Sequence, residues 1–413
     1  MKKKTLVLVG IAVCAILLTS PVLASAGYSK IYGNANEDDV LDMRDVTYIK
    51  LAIFGKKPAT DFADANYDGK ISMLDIGQTK LIILGKEKEL TLVDRADRTV
   101  TVPRPIERVV ALYTPDTRAI VALDGCDRLV GIEDSCIKGH EEEKVCGGKL
   151  TELPNIGFEE KNVELIASLK PDVMLGCTWS SIDINSLQEK LGVPVVCTNP
   201  GSTREEIYGQ FRLTGKVLGK EEEAEDLISY MEKKIALVTD ITSQIQDSEK
   251  PRVYITKHKS LTFCPVAYEP VEIAGGILVN KELGGSGDLM RTISKEQIIK
   301  WNPDVYFIMR HGAPEQLWLS VEDVLSDSDL QNVNFVKDKK VYYATVFCRW
   351  LPQQRFIPES MYMAKILYPD KFKDLDLEKE GNEILERFYG VDGLYTELAD
   401  RTEWLREFIE SPE

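Results

Sequence analysis

One phrase occurs twice in this chain, 132 positions apart, and it narrows the possible folds more than any other feature. Glu164-Leu-Ile-Ala-Ser-Leu-Lys-Pro171-Asp172-Val173 is echoed by Glu296-Gln-Ile-Ile-Lys-Trp-Asn-Pro303-Asp304-Val305. Each copy reads as a short amphipathic helix, a Pro-Asp turn and a buried strand. Around the first copy, apolar runs at residues 108–113, 173–176 and 193–197 alternate with helical stretches at 116–123, 163–169 and 182–191. Alternation of that kind calls for α/β layers with mostly parallel sheets. Between the copies, Thr203-Arg-Glu-Glu is a helix start, Gly219 breaks the pattern, and residues 221–245 run without Gly or Pro. Leu227, Ile228, Met231, Ile235, Leu237, Val238 and Ile241 give that run one apolar face, so a long helix is expected. Val253-Tyr-Ile-Thr256 then opens a second α/β series. The expected fold class is α/β: two Rossmann-like lobes, residues 90–215 and 250–413, joined by a long helix within residues 216–249. Two such lobes enclose a cleft, and ligands settle at the carboxyl ends of parallel strands.

A second repeat, at an offset of 30, lies in residues 34–56 and 64–86: Met43, Asp45, Lys50, Leu51, Ile53, Gly55 and Lys56 recur as Met73, Asp75, Lys80, Leu81, Ile83, Gly85 and Lys86. The later copy places Asp64, Asn66, Asp68, Ser72 and Asp75 at loop positions 1, 3, 5, 9 and 12, with Gly69 at position 6. Oxygen donors in that spacing are what Ca²⁺ requires, and Gly69 permits the sharp turn. The earlier copy offers Asn34, Asn36, Asp38, Asp42 and Asp45, with Asp39 in place of the turn glycine, which weakens it. The competing reading is a pair of polar turns capping two helices. With Asp rather than Glu at position 12, the two loop–helix units resemble a type I dockerin, over residues 31–88. That resemblance implies a small α-helical, EF-hand-type module (residues 27–88), calcium-dependent folding and a cohesin-bearing partner. In that family recognition falls at loop positions 10 and 11, which here are Met43-Arg44 and Met73-Leu74 rather than the usual hydroxyl pair.

Residues 1–26 stand apart: Lys2, Lys3 and Lys4, an apolar run to Leu18, then Ala24-Ser25-Ala26. This reads as a secretory signal peptide, so an exported, extracellular, cell-surface or periplasmic protein is expected. The alternative is a segment retained as an anchor. Seven cysteines come after it, an odd number that leaves at least one free thiol; Cys126, Cys136 and Cys146 are close enough for a loop disulfide. The net charge of −16 makes nucleic-acid binding an unsuitable role. No Walker A, G-x-S-x-G, H-E-x-x-H or helix-opening G-x-G-x-x-G motif occurs, so an enzyme is not indicated. With only His140, His258 and His311, a receptor for bare Zn²⁺ or Mn²⁺ is not indicated either. Candidate ligand contacts stand just past strand ends: Tyr113, Thr114, Trp179, Lys257, His258, Arg310, His311, Arg349 and Trp350. Aromatic walls with a few forked cations suit a bulky chelate bearing anionic oxygens.

The Asp-Arg-Thr-Val-Thr-Val-Pro103 stretch, Arg108-Val-Val-Ala-Leu, Leu-Lys-Pro-Asp-Val, Leu-Gly-Lys-Glu-Glu-Glu-Ala-Glu, Trp-Asn-Pro-Asp-Val and the ending Phe388-Tyr-Gly390 resemble, in order and spacing, the vitamin B12- and ferric-siderophore-type binding proteins of ABC importers. The resemblance spans about residues 90–395. It implies capture of an iron chelate (siderophore or haem) or a corrinoid, and delivery to an ABC permease. It also places on Glu164 and Glu296 the two rim glutamates that pair with permease arginines. Two alternatives accompany this expectation: a surface assembly or adhesion protein working through the front module, and a chelatase-like enzyme on the same fold.

Overall fold

The computed structural model describes residues 30–38, 40–133, 144–158, 160–178, 183–199, 203–257, 260–285, 289–310, 319–345 and 353–411. The chain divides between Leu92 and Val93 into two compact units.

The first unit holds helices α1 (Met43–Ile53) and α2 (Met73–Ile83). Both start the same way: Asp42 and Ser72 cap their helices, and Asp45 and Asp75 reach back to the cap residue's N–H. Such reciprocal boxes satisfy two of the N–H groups that every helix start leaves without an internal partner. Val46, Ile49 and Ile76 close a small core with Ala35 and Ala63, and Ile71 packs against it. The unit runs past residue 88, because Leu92 in strand β1 (Glu89–Val93) bridges back to Ile31.

In the second unit, strand β2 (Thr99–Pro103) precedes two four-stranded sheets. The first contains β3 (Val109–Ala111), β4 (Leu129–Gly131), β5 (Val173–Gly176) and β6 (Val195–Cys197), in the order β4-β3-β5-β6. The second contains β7 (Arg252–Lys257), β9 (Ile277–Leu278), β11 (Val305–Arg310) and β12 (Val341–Thr345), in the order β9-β7-β11-β12. All pairings within these two sheets are parallel. A short antiparallel pair, β8 (Phe263–Pro265) with β10 (Met290–Thr292), accompanies the second sheet. Counted by appearance, each four-stranded sheet runs second, first, third, fourth. Even the central registers agree, since Val109 sits opposite Val173 and Val253 opposite Val305. In a sheet of this topology the crevice opens where strand order reverses, here between β3 and β5 and between β7 and β11.

The repeated phrase builds that equivalence. Helices α3 (Thr114–Ala122) and α4 (Val163–Leu169) belong to the first lobe, whose next helix is α5 (Ile184–Leu191). The second copy begins the helix Lys295–Trp301. Both copies end on a left-handed residue, Lys170 at φ 46° and Asn302 at φ 45°, before a proline that cannot continue the helix. The Asp172 carboxylate then accepts the N–H groups of Glu107 and Arg108 at 2.8 Å, just before β3. Asp304 accepts the N–H of Arg252 at 2.9 Å, at the start of β7. Each Pro-Asp turn therefore clamps its strand to the neighbouring first strand. Ile166 and Ile298 lie fully buried beneath the two helices.

Helix α6 (Arg204–Leu218) ends at Gly219 in the left-handed region, and α7 (Glu221–Thr242) comes next. α7 buries Leu227, Ile228, Met231, Ile235 and Val238, whereas Leu237, expected on that face, stands exposed. Its stripe turns away from Leu237 because 100° per residue places that position on the solvent side. α7 packs against α6 of the first lobe and, in the second, against the helices Glu269–Ile273 and Phe356–Leu367. Cys126 is bonded to Cys146, and Cys177, Cys197 and Cys264 are buried thiols.

Candidate functional site

Tyr113 and Thr114 leave β3 at its carboxyl end, where α3 begins. Thr114 is buried: Glu133, just past β4, accepts its N–H at 3.0 Å and also its hydroxyl hydrogen. The Thr114 hydroxyl is thus engaged within the first lobe rather than offered outward. Two residues on, Asp116 is fully buried, with one oxygen accepting the Thr198 hydroxyl and the other, Oδ2, lacking a hydrogen-bond partner among the described residues. Burial pushes its carboxyl up to about 7, and the Glu133 charge adds to that, while the Thr198 bond opposes it. Lys161 is held down to about 8, first by its burial.

Lys161 belongs to a segment that sequence reasoning missed. Asn155 bridges Ile132 in parallel, so residues 154–156 lie beside β4 and their exit joins the same carboxyl edge. There Phe158 packs on Tyr113 with ring centroids 5.9 Å apart, and Lys161 Nζ stands 5.9 Å from the centre of the Tyr113 ring. Neither Phe158 nor Lys161 lies in a run with strand or helix period, so no sequence signal marked them. Glu133 and Asp116 were equally hidden, because their roles depend on strand order.

In the second lobe, Lys257 ends β7 and Arg310 ends β11 on neighbouring strands. The Arg310 guanidinium lies 3.6 Å from the centre of the Tyr343 ring, a close cation–π stack. Its Nε is buried and has no hydrogen-bond partner among the described residues. A buried arginine is ordinarily held by a carboxylate; a stacked one keeps its fork of donors for another acceptor. The structure thus places Tyr113, Thr114, Lys257 and Arg310 at carboxyl edges. Trp179, His258, His311, Arg349 and Trp350 lie outside the described residues. A small cavity lined by Arg355, Glu359, Tyr362 and Tyr395 lies among the C-terminal helices, and the Tyr362 hydroxyl donates to the carbonyl of Tyr343 at 2.8 Å.

Glu164 and Glu296 are each the second residue of their repeated helix, and both are exposed. Hydrogen bonds from the Ser294 side chain and from the backbone hold Glu296 below its ordinary carboxylate range. Lys295 beside it is committed to Asp327 at 2.7 Å and Asp329 at 2.8 Å.

In the first unit, Asp75 is fully buried and accepts the N–H of Asn66 at 3.2 Å and of Ser72 at 2.7 Å. Asp64 accepts from Asp68 N–H at 3.1 Å and Gly69 N–H at 2.7 Å, with Gly69 at φ 83°. In the earlier loop, Asp45 accepts from Asn36 at 3.2 Å and Asp42 at 2.8 Å in the same pattern. Burial raises both Asp45 and Asp75, and their neighbours Asp38, Asp42, Asp64 and Asp68 raise them further. Among the described residues no three His, Cys, Asp or Glu side chains gather as a cluster. The donors here are a mixed set of carboxylate, amide and hydroxyl oxygens, which fits a hard cation and does not suit a softer metal.

A family model described as periplasmic binding protein matches residues 109–345. The molybdate-binding protein MolA of Haemophilus influenzae is 25% identical over 327 residues, covering 72% of this chain and 90% of MolA. The Fe(3+)-citrate-binding protein YfmC of Bacillus subtilis is 24% identical over 221 residues, covering 52% of this chain and 66% of YfmC. A solved periplasmic solute-binding protein from Veillonella parvula superposes with a TM-score of 0.59 at 24% identity, over 78% of this chain and 98% of its own. These relatives are solute-binding proteins rather than enzymes, which sets aside the chelatase alternative.

Proposed function

This chain belongs to the periplasmic binding protein family, the substrate-binding components of ABC importers, and from that premise we propose that its cargo is an anionic iron chelate of the siderophore or haem type. The observation that carries the reading is Arg310, stacked on Tyr343 at the strand-order switch of the second lobe, its buried Nε without a hydrogen-bond partner among the described residues. Lys257 on the adjacent strand adds a second positive charge in a chain whose net charge is −16. The two ligands named for the relatives, molybdate and Fe(3+)-citrate, are both anions. A corrinoid, whose rim is mostly neutral amides, makes less use of such an edge.

Export is part of the same reading, with residues 1–26 as the signal. For the first unit, the oxygen donors of both loops favour Ca²⁺, held by Asp64, Asn66, Asp68, Ser72 and Asp75 and more weakly by Asn34, Asn36, Asp38, Asp42 and Asp45. Met43, Met73 and Leu74, at the recognition positions, are exposed by 55%, 66% and 65%, an apolar face suited to a cohesin-type partner on the cell surface. The module would then hold the receptor at the surface in place of another anchor.

Titration of the full chain with ferric citrate, haemin, a ferric tris-catecholate, molybdate and cobalamin, monitored by tryptophan fluorescence, tests the cargo assignment. An anionic probe should saturate. Arg310→Ala should weaken it roughly 10- to 100-fold, the loss of about 1.5–3 kcal/mol expected for a charge-assisted hydrogen bond. Tight cobalamin binding that ignores Arg310→Ala would sink the reading.

A further inference from the structure

Arg310 rests on a platform that its own strand does not supply. Its guanidinium lies on the ring of Tyr343, which belongs to β12, the edge strand of the second sheet. A ring on an edge strand has a neighbouring strand on one side only, so its remaining support must come from elsewhere. The helix Glu403–Glu410, near the end of the chain, provides it. Trp404 packs on the Tyr343 ring with centroids 6.1 Å apart, and on the Tyr362 ring at 5.5 Å. One turn on, Phe408 meets Tyr362 edge-to-face at 4.7 Å, and the Tyr362 hydroxyl donates to the Tyr343 carbonyl at 2.8 Å. The Tyr343 hydroxyl accepts the Val321 N–H at 3.2 Å. Ring, carbonyl and hydroxyl of Tyr343 are thus each held by a different helix. Leu405 is buried, and Arg406 binds Glu378 at 3.1 Å and Asp400 at 2.6 Å, so the helix has a seat apart from the half-buried Trp404 ring.

Resting on the reading of Arg310 as a cargo contact, we propose that Trp404 is a positioning residue for cargo binding, which holds the Tyr343 platform that aims the Arg310 guanidinium. Trp404 acts through Tyr343 and is not itself a cargo contact. The stack keeps the planar fork of donors in one orientation, as paired hydrogen bonds to anionic oxygens require. Without Trp404 the Tyr343 ring loses a wall, and the long Arg310 side chain must be ordered at the moment of binding. Ordering one such side chain costs several-fold in affinity.

Two readouts on the full chain test this. In the cargo-free protein, the NMR signal of the Arg310 Nε–H, identified by its loss in Arg310→Ala, should be displaced by the Tyr343 ring. Trp404→Leu should move it towards the position of exposed arginines, and Trp404→Phe should leave it near its wild-type position. Calorimetric titration with haemin, a ferric tris-catecholate, ferric citrate and molybdate gives the second readout. For the probe bound most tightly, Trp404→Leu should weaken binding about 3- to 10-fold, and Trp404→Phe by no more than about twofold. In an Arg310→Ala background, Trp404→Leu should change affinity by less than about twofold, because the group it positions is gone. Trp404→Met carries the same comparisons should Trp404→Leu fail to fold. A loss of equal size in both backgrounds marks a merely structural role and overturns the proposal, as does an Arg310 signal that Trp404→Leu leaves unmoved. Wild-type affinity in Trp404→Leu overturns it too, with the cargo reading intact. Silence from all four probes defeats the cargo reading, and the proposal with it, even where the Arg310 signal moves.

Discussion

Asp116 shows how much a single side chain can depend on a neighbour 82 residues away. It is fully buried, its hydroxyl partner Thr198 comes from the far edge of the sheet, and its carboxyl titrates near 7 rather than 3.8. A carboxyl whose folded value lies above its unfolded one destabilises the fold as pH rises. The penalty is absent below about 3.8, grows up to about 7, and is constant above that. At full size it is on the order of 4 kcal/mol. Asp116→Asn keeps an acceptor for Thr198 and removes the charge. The variant should match wild type near pH 4 and unfold at a higher denaturant concentration by pH 8, and equal midpoints at both pH values would show that the buried carboxyl costs nothing. None of this was legible in sequence, where Asp116 is one acid after a Pro. The fate of Arg310 was half legible: its place at a strand end is evident from the apolar run before it, but the Tyr343 stack needs the register that sets Arg310 opposite Thr345.

At the scale of elements, the repeated Pro-Asp phrase was readable because its chemistry is local: proline stops a helix and the aspartate after it favours a turn. Its clamping partners were not readable, since the N–H groups held by Asp172 and Asp304 come from residues 107–108 and 252. The two helices of the earlier repeat were legible, because their caps and apolar spacing are local; the bridge from Leu92 back to Ile31 was not. The repeat's prediction rests on the carboxylates. Asp45 and Asp75, buried among other acids, are raised by burial and by like charge, and a bound cation would relieve both. Free calcium at about 100 times its Kd should add about 2.7 kcal/mol to the first unit's stability. In a thermal melt of the full chain, one transition should shift with calcium and a second should stay fixed. Asp75→Asn should abolish most of the shift, with a smaller loss for Asp45→Asn. Calcium-independent melting of both units would leave the loops as polar turns and remove the basis for a calcium-held surface tether.

At the scale of the whole molecule, the second unit is one lobe design used twice, with the same strand order, the same central register and the same clamp. Duplication places Glu164 and Glu296 at the same point of each lobe, exposed at the start of an equivalent helix. A helix start favours an acid through its dipole, so one such glutamate would mean little. Two at equivalent points suit a partner that itself presents paired cationic sites, as the permease of this family is expected to do. Ion pairs at a rim set encounter and orientation more than intrinsic affinity. Exchange of both residues for alanine should therefore leave cargo titrations unchanged, because both carboxylates stand exposed at helix starts. It should abolish uptake in cells that depend on this receptor. Either single exchange should give partial uptake, and the loss should deepen as ionic strength rises, because screening weakens the remaining pair. Normal uptake by the double variant would overturn the docking assignment even with cargo binding intact, and lost cargo binding would mean that these glutamates act on the cleft instead.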